Sequence, residues 1–136
     1  MMSDKMQCIA TVENLPLVTG FVEECADCSG MDARKKFGLL VAVEEAFVNI
    51  CSYAYPNGEG ETELSCGVDG DVFVLEIKDS GSPFNVLSLP DPDTSSDIME
   101  REIGGLGIHF IRSLSDKVSY RRENGQNILQ MVFMRG

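Results

Sequence analysis

Apolar residues recur every three or four positions in two stretches of the N-terminal half of the chain, and this spacing predicts two helices. The first helix follows Asn14, a residue type that commonly caps helices, and ends near Gly30. Its apolar face consists of Leu17, Val18, Phe21, Val22 and Cys25. The second helix is longer, begins after a capping Asp32 and ends before Pro56. Its apolar face consists of Phe37, Leu40, Val41, Phe47, Val48 and Cys51.

Alternating apolar and polar residues predict strands in much of the remaining chain. The predicted strands span residues 5–12, 62–68, 72–78, 117–123 and 127–134. Asp69-Gly70-Asp71 lies between the second and third strands, and Asn124-Gly125 lies between the last two. Both are typical hairpin turns, so the pattern predicts two antiparallel pairs.

The segment between the two hairpins has a different composition. Residues 79–84 (DSGSPF) predict a tight loop, and residues 85–103 hold Pro90, Pro92 and a polar run, which is typical of a mobile lid. Residues 104–115 (GGLGIHFIRSLS) predict a glycine turn that leads into an apolar helix. The resulting order, β-α-α-β-β-lid-α-β-β, favours an α+β two-layer sandwich with a mostly antiparallel sheet, built as one domain over residues 1–136.

Charge and cysteine content limit the binding partners and the cellular location that we expect for the protein. The formal net charge of −11 disfavours direct binding to nucleic acid and to anionic membranes. The chain begins without a secretory signal pattern and contains no apolar run of membrane-spanning length. Its five cysteines, an odd number at irregular spacing, predict reduced thiols in a cytoplasmic protein.

The long predicted helix carries the first candidate site. Glu45 and Asn49 are four residues apart and therefore share one helix face. The amide oxygen is a suitable ligand for Mg²⁺, and the carboxylate can accept a proton. Taken alone, the pair is more typical of ordinary polar positions on an amphipathic helix, because such pairs are common.

The second candidate site follows the third predicted strand. The carboxylate of Asp79 can only accept hydrogen bonds when ionised, and the amino group of adenine is a matching donor. Gly81 lacks a side chain and would allow a flat ring to approach closely. An ordinary turn is the alternative, because Asp, Ser, Gly and Pro are all turn formers.

The third candidate site is the glycine cluster Gly104-Gly105-Leu106-Gly107 at the start of a predicted helix. Exposed backbone N–H groups at a helix N-terminus can bind phosphate. The spacing matches neither the dinucleotide fingerprint nor the P-loop, so a hinge or tight packing remains open.

The three motifs together resemble the GHKL ATPase/kinase superfamily. Helical E-x-x-x-N, then D-x-G-x-P-F after a strand, then G-G-x-G before a helix occur here in that order, and the resemblance covers residues 14–134. Within the superfamily, the compact size, Pro83-Phe84 and the stretch 116–120 are similar to bacterial anti-sigma-factor serine/threonine kinases. The resemblance implies the Bergerat ATP-binding fold.

It also implies roles for individual residues. Asn49 corresponds to the magnesium-binding asparagine, and Glu45 to the base that activates the attacking hydroxyl. Asp79 corresponds to the residue that bonds the adenine amino group, and Gly81 to the glycine under the ring. The remaining implied nucleotide-binding residues are Phe84, Gly104, Gly105, Leu106 and Gly107.

The implied function is phosphorylation, with ATP and Mg²⁺, of a small anti-anti-sigma (STAS-type) partner, and a sigma factor is a second candidate partner. A homodimer is implied as well. The alternative is a nucleotide-gated module that sequesters a sigma factor or another regulator with little or no phosphotransfer, and a nucleotide-independent scaffold is a third possibility. Glu45 favours the kinase, because a pure binding protein needs no base at that position.

Overall fold

A computed structural model describes residues 4–55, 60–83 and 115–134. Strand β1 is followed by a short 3-10 turn, two helices, the hairpin β2–β3 and the hairpin β4–β5. The element bounds are β1 Asp4–Ile9, the 3-10 turn Val12–Asn14, α1 Leu15–Cys28, α2 Ala33–Tyr53, β2 Glu61–Asp69, β3 Val72–Asp79, β4 Lys117–Glu123 and β5 Gln126–Met134. None of the helices in these ranges is both long and apolar enough to span a membrane.

The described strands form one antiparallel sheet in the order β1-β2-β3-β5-β4. Both described helices pack on it, which confirms the predicted α+β architecture. The β3–β5 pairing joins the two hairpins and places Asp79 directly opposite Asn127.

The core lies between the helices and the sheet. The alternating strand pattern is visible in β3, where every second residue is buried. The largest fully buried side chains are Phe47, Phe73, Phe133, Leu39, Leu64, Leu75, Ile77, Met131, Val18 and Val22. A polar side chain at the edge of this layer is costly unless it has a partner or binds a ligand.

Both predicted turns are confirmed by the backbone. Gly70, Asn124 and Gly125 have φ of 62°, 54° and 78°, the left-handed values that a tight hairpin turn requires. The predicted cap at Asp32 is confirmed too, because its carboxylate accepts a hydrogen bond from the backbone N–H of Lys35 at 2.8 Å.

The start of α1 differs from the prediction. Strand β1 ends at Ile9, not at Val12, because the chain turns there into the 3-10 segment. Asn14 precedes α1, but its side chain makes no cap bond; Nδ2 donates to the carbonyl of Ile9 at 2.8 Å. Asn14 therefore fixes the turn between β1 and α1 and leaves the helix end uncapped by its side chain.

The expectation of five reduced thiols is wrong. Cys25 of α1 and Cys66 of β2 are joined as a disulfide, 41 residues apart in sequence, whereas Cys8, Cys28 and Cys51 are free. Sequence spacing does not reveal this pair, because only the packing of α1 on the sheet brings the two sulfurs together.

Candidate functional site

A cavity lies between the C-terminal half of α2 and the central strands. Its polar wall consists of Asn49, Asp79, Tyr120 and Asn127. The remaining lining is apolar and consists of Ala46, Ile50, Ala54, Ile77 and Leu129. A mostly apolar cavity with a few convergent polar groups is typical of a small-molecule site. The structure thus brings Asn49 and Asp79 together, as predicted from two separate motifs.

Asp79 ends β3 and is 5% exposed. Its Oδ1 accepts hydrogen bonds from the backbone N–H of Gly81 at 3.0 Å and from Asn127 Nδ2 at 2.9 Å. Burial raises the pKa of Asp79, whereas these two donors and the charge of Arg122 lower it. Both of these hydrogen bonds engage Oδ1, so within the described residues Oδ2 is available as a further acceptor.

Asn127 is a site residue that sequence reasoning missed. Its Oδ1 accepts from Tyr120 Oη at 2.6 Å and from Arg122 Nη1 at 3.1 Å, while Nδ2 also donates to the carbonyl of Ser82 at 2.8 Å. Arg122 donates as well to the carbonyl of Gly81 at 2.8 Å. This network orients the amide toward Asp79. The register of the strands could have identified Asn127, because Asn127 pairs with Asp79 once β3 and β5 are aligned.

Asn49 faces the cavity from α2. It is 5% exposed, and its Nδ2 has no hydrogen-bond partner among the described residues. A buried polar atom without a partner costs about 1–3 kcal/mol, so an acceptor supplied to Nδ2 within the cavity, by water or by a ligand, would be stabilising. The amide oxygen is also of the hard type that Mg²⁺ prefers.

Glu45 lies one turn before Asn49 on the same helix face, as its spacing predicted. It is partly exposed and does not line the cavity itself. Burial raises the pKa of Glu45, and the charge of Glu44 raises it further. A carboxylate of raised pKa is a stronger base than an ordinary one.

Gly81 is buried for a reason that the sequence did not reveal. A Cβ atom built on it would overlap the carbonyl oxygen of Ala54, the residue that ends α2. The backbone N–H of Ser82 donates to the same carbonyl at 2.8 Å. Gly81 therefore allows the loop after β3 to pack directly on the end of α2.

Tyr55 reinforces this contact. Its hydroxyl donates to the carbonyl of Glu61 at 2.6 Å and accepts from the backbone N–H of Ser80 at 2.8 Å. Burial raises the pKa of this hydroxyl, which remains a neutral donor. Tyr55 thus links the end of α2 to both strands of the first hairpin and positions the loop that follows Asp79.

The other predicted nucleotide-binding residues lie outside the described part of the chain. They are Phe84, Gly104, Gly105, Leu106 and Gly107. The predicted lid at 85–103 and most of the predicted helix at 104–115 lie outside it as well. The described geometry therefore concerns the adenine end of the proposed site and the face of α2 that carries Glu45 and Asn49.

Comparisons with known proteins identify the family of the chain. A family model described as the histidine kinase-like ATPase domain matches residues 8–133. A serine-protein kinase RsbW from Halalkalibacterium halodurans is 31% identical over 100 residues, which cover 71% of this chain and 61% of that protein. A serine/threonine-protein kinase BtrW from Bordetella bronchiseptica is 27% identical over 101 residues, which cover 74% of this chain and 71% of that protein.

A solved structure of the RsbU and RsbW domains of Rv1364c from Mycobacterium tuberculosis has a similar fold. Its TM-score is 0.67 at 13% identity, and the match covers 97% of this chain and 32% of that one. The chain spans about three fifths of the length of the RsbW relatives, with 61% for the Halalkalibacterium protein. Because the family model covers nearly all of the chain, the protein belongs to the histidine kinase-like ATPase domain family.

Proposed function

We propose that this protein is a Mg²⁺- and ATP-dependent serine/threonine kinase that phosphorylates a small anti-anti-sigma (STAS-type) partner in a partner-switching system. The observation that carries the proposal is that Asp79 and Asn49 meet in one cavity. Among the described residues, Asp79 Oδ2 accepts no hydrogen bond and the buried Nδ2 of Asn49 has no partner. The names of the relatives as serine-protein kinases support the reaction class.

In this proposal, Asp79 determines which nucleobase the site selects. Its free oxygen accepts a hydrogen bond from the amino group of adenine, while Asn127 and Gly81 hold the other oxygen. The apolar walls formed by Ile77 and Leu129 suit a flat ring. Phe84 and the glycines from Gly104 to Gly107 are proposed to contact the rest of the nucleotide.

Asn49 is the proposed magnesium ligand. A neutral amide oxygen contributes a hard donor without adding charge. The burial of Asn49 in the cavity, with Nδ2 unpartnered among the described residues, supports a role in binding. When bound, magnesium would offset negative charge on the transferring phosphoryl group.

Glu45 is the proposed catalytic base. Its carboxylate takes the proton of the partner's serine or threonine hydroxyl as the hydroxyl oxygen bonds to the γ-phosphorus, and the bond to ADP breaks. The raised pKa of Glu45 favours this proton transfer. The same proposal includes a STAS-type protein as the phosphorylated partner and a sigma factor as a second partner. It also includes a homodimeric state and a cytoplasmic location.

Single-turnover transfer of labelled phosphate from ATP to candidate STAS-domain partners tests the proposal. Glu45→Ala should retain ATP binding but lose about 10²- to 10⁴-fold in transfer rate, the usual contribution of a general base. Glu44→Ala is the matched control, since Glu44 is exposed and lies about 100° away around the helix. If Glu45→Ala transfers phosphate as fast as the unmodified protein, the base assignment is wrong.

A second outcome would favour another function. If the unmodified protein phosphorylates no candidate partner while ATP alters its affinity for one, the protein is a nucleotide-gated binding module instead. Calorimetric titration of the partner in the presence and absence of ATP makes that comparison.

A further inference from the structure

A carboxylate and two cysteine sulfurs meet where β1 and α1 lie against β2. Asp4 begins β1, Cys25 lies in the last turn of α1, and Cys66 lies in β2. A carboxylate oxygen of Asp4 and the two sulfurs all lie within 4.8 Å of one another. The strand register accounts for part of this meeting, because Asp4 pairs with Cys66 in the sheet.

These three groups differ in accessibility. Cys66 is 1% exposed and Cys25 is 7% exposed, whereas Asp4 is exposed. A cavity of about 180 Å³ beside them is lined by Asp4, Phe21, Glu24, Cys25 and Cys28. Because Asp4 and Cys25 line this cavity, an ion that enters it reaches two of the three potential ligand atoms.

The two sulfurs can bind a metal ion only after reduction, because Cys25 and Cys66 are joined as a disulfide in the structure. Small thiols in a reducing compartment are the reductant for such a bond. Two equivalents of the small thiol lose two electrons and two protons in total and leave as one small disulfide. The protein gains these electrons and protons as the two thiols of Cys25 and Cys66.

We propose that the reduced protein binds one Zn²⁺ through Asp4, Cys25 and Cys66, with water in the fourth position. Zn²⁺ suits this set of ligands, because it takes thiolate sulfur and carboxylate oxygen in a tetrahedral arrangement. The ion displaces the proton of each thiol, so two protons are released as the two Zn–S bonds form. The fourth position faces the cavity, which has room for water.

The distances suit a tetrahedral ion. Bonds of about 2.3 Å from zinc to sulfur and about 2.1 Å from zinc to oxygen place the ligand atoms about 3.6–3.8 Å apart. Asp4 Oδ2 lies 3.9 Å from Sγ of Cys25. Once the disulfide is reduced, the two sulfurs move apart to van der Waals contact, which is close to the same spacing.

Electrostatics favours a cation at this place. Glu24 lines the cavity together with Asp4, and the chain as a whole has a net charge of −11. This negative potential raises the local concentration of cations. It also opposes the formation of two adjacent thiolates, so a bound divalent ion is what stabilises Cys25 and Cys66 in that form.

Zinc measurements on the full chain test the proposal. The protein is reduced with a phosphine, freed of reductant without air, equilibrated with Zn²⁺ and desalted, and its zinc content is measured by elemental mass spectrometry. We expect one Zn²⁺ per reduced chain and none after oxidation with oxidised glutathione. Co²⁺ added to the reduced protein should give the thiolate-to-metal absorption of a tetrahedral site.

Variants assign the ligands. Cys66→Ser and Asp4→Asn should each weaken Zn²⁺ binding at least about tenfold, because even loss of a group that only supports a ligand costs about 10- to 100-fold. Cys51→Ser and Asp69→Asn are the matched controls and should leave the affinity unchanged. Cys51 lies on α2 outside the cavity, and Asp69 is exposed at the end of β2. Circular dichroism confirms that each variant is folded before it is compared.

The zinc-bound form should also be more stable than the metal-free reduced form. The ion joins β1, α1 and β2 at one point, and it binds the folded chain in preference to the unfolded one. Zn²⁺ should therefore raise the melting temperature of the reduced protein. The same addition should leave the melting temperature of the oxidised protein unchanged.

Three results would overturn the proposal. One is a reduced protein that retains no more zinc than Cys66→Ser does. Another is equal zinc binding by the oxidised and the reduced protein. The third is binding that is lost in Cys28→Ser and unchanged in Asp4→Asn, because Cys28 would then take the place of the carboxylate.

Discussion

Two opposing effects act on the carboxyl group of Asp79. Burial favours its neutral form, whereas the neighbouring hydrogen-bond donors favour its charged form. Its pKa is raised by burial and lowered by Asn127, Gly81 and Arg122. The balance matters for function, since only the ionised carboxylate offers acceptors without a competing proton. Asn127 therefore supports the proposed adenine contact by favouring the charged form of Asp79, without itself touching the ligand.

The pH dependence of ATP binding should reveal this balance. Because the pKa of Asp79 is raised above its ordinary value of 3.8, affinity for ATP should fall as the pH decreases through that raised value. Asn127→Ala should move the midpoint to higher pH, because it removes the amide donor that favours the charged form. The protonation of ATP itself also changes with pH. This change is the same for the unmodified protein and for Asn127→Ala, so it does not affect the difference between their midpoints.

Gln130→Ala is the control for this shift. It removes one side-chain hydrogen bond on the same strand, to Glu76, away from the cavity. Its midpoint should match that of the unmodified protein. An Asn127→Ala midpoint that is unchanged would show that the amide does not hold Asp79 in its charged form.

Replacement of Asn49 should affect magnesium-dependent ATP binding and the stability of the fold in different ways. Asn49→Ala should abolish the magnesium dependence of ATP binding, yet leave the free energy of unfolding unchanged or raise it by up to about 1 kcal/mol, because it removes a buried amide without a partner. Urea denaturation and calorimetry with and without Mg²⁺ measure the two quantities. A large loss of stability, together with no magnesium effect in the unmodified protein, would make Asn49 structural.

At the scale of elements, the site depends on how the end of α2 meets the end of β3. Gly81 packs on the carbonyl of Ala54, and Tyr55 bridges Glu61 and Ser80. These contacts fix the position of the helix that carries Asn49 relative to the strand that carries Asp79. The placement of Asn49 relative to Asp79, the proposed metal and adenine contacts, therefore follows from this junction.

Gly81→Ala tests the junction. Overlap of the new methyl group with the Ala54 carbonyl should lower the free energy of unfolding by about 1–3 kcal/mol. Gly20→Ala is the matched control, because Gly20 lies inside α1 with no atom within 4 Å of an added Cβ, and should raise stability by about 0.5–1 kcal/mol. Urea denaturation compares both; equal effects of the two changes would contradict the close contact at Gly81.

Local sequence patterns predicted the helices, strands and turns, but they did not predict contacts between residues far apart in the sequence. The second helix, the turns at Gly70 and Asn124 and the cap at Asp32 follow from spacing and residue type, which depend on near neighbours. The Cys25–Cys66 bond and the Asn127–Asp79 contact join residues 41 and 48 positions apart, and both depend on how elements pack. The motifs located Asp79 and Asn49, but only the packed sheet shows what surrounds them.

At the scale of the whole molecule, the net charge of −11 opposes an anionic ligand such as ATP. Binding therefore requires local groups that outweigh the overall repulsion. The cavity contributes a carboxylate acceptor, a neutral amide and apolar walls, and the alternating strands and two helices hold these groups in one place. We propose that this cavity is selective for adenine.

Calorimetric titration of ATP and GTP with Mg²⁺ tests that claim most directly. Guanine presents a carbonyl where adenine has an amino group, and two opposed acceptors in a buried site cost about 1–3 kcal/mol, or about 5- to 150-fold in affinity. ATP should therefore bind more tightly than GTP by that factor. Asp79→Asn should weaken ATP binding, whereas Asp71→Asn, at an exposed position, should not. Equal affinities for ATP and GTP would contradict the assignment of the cavity as an adenine site.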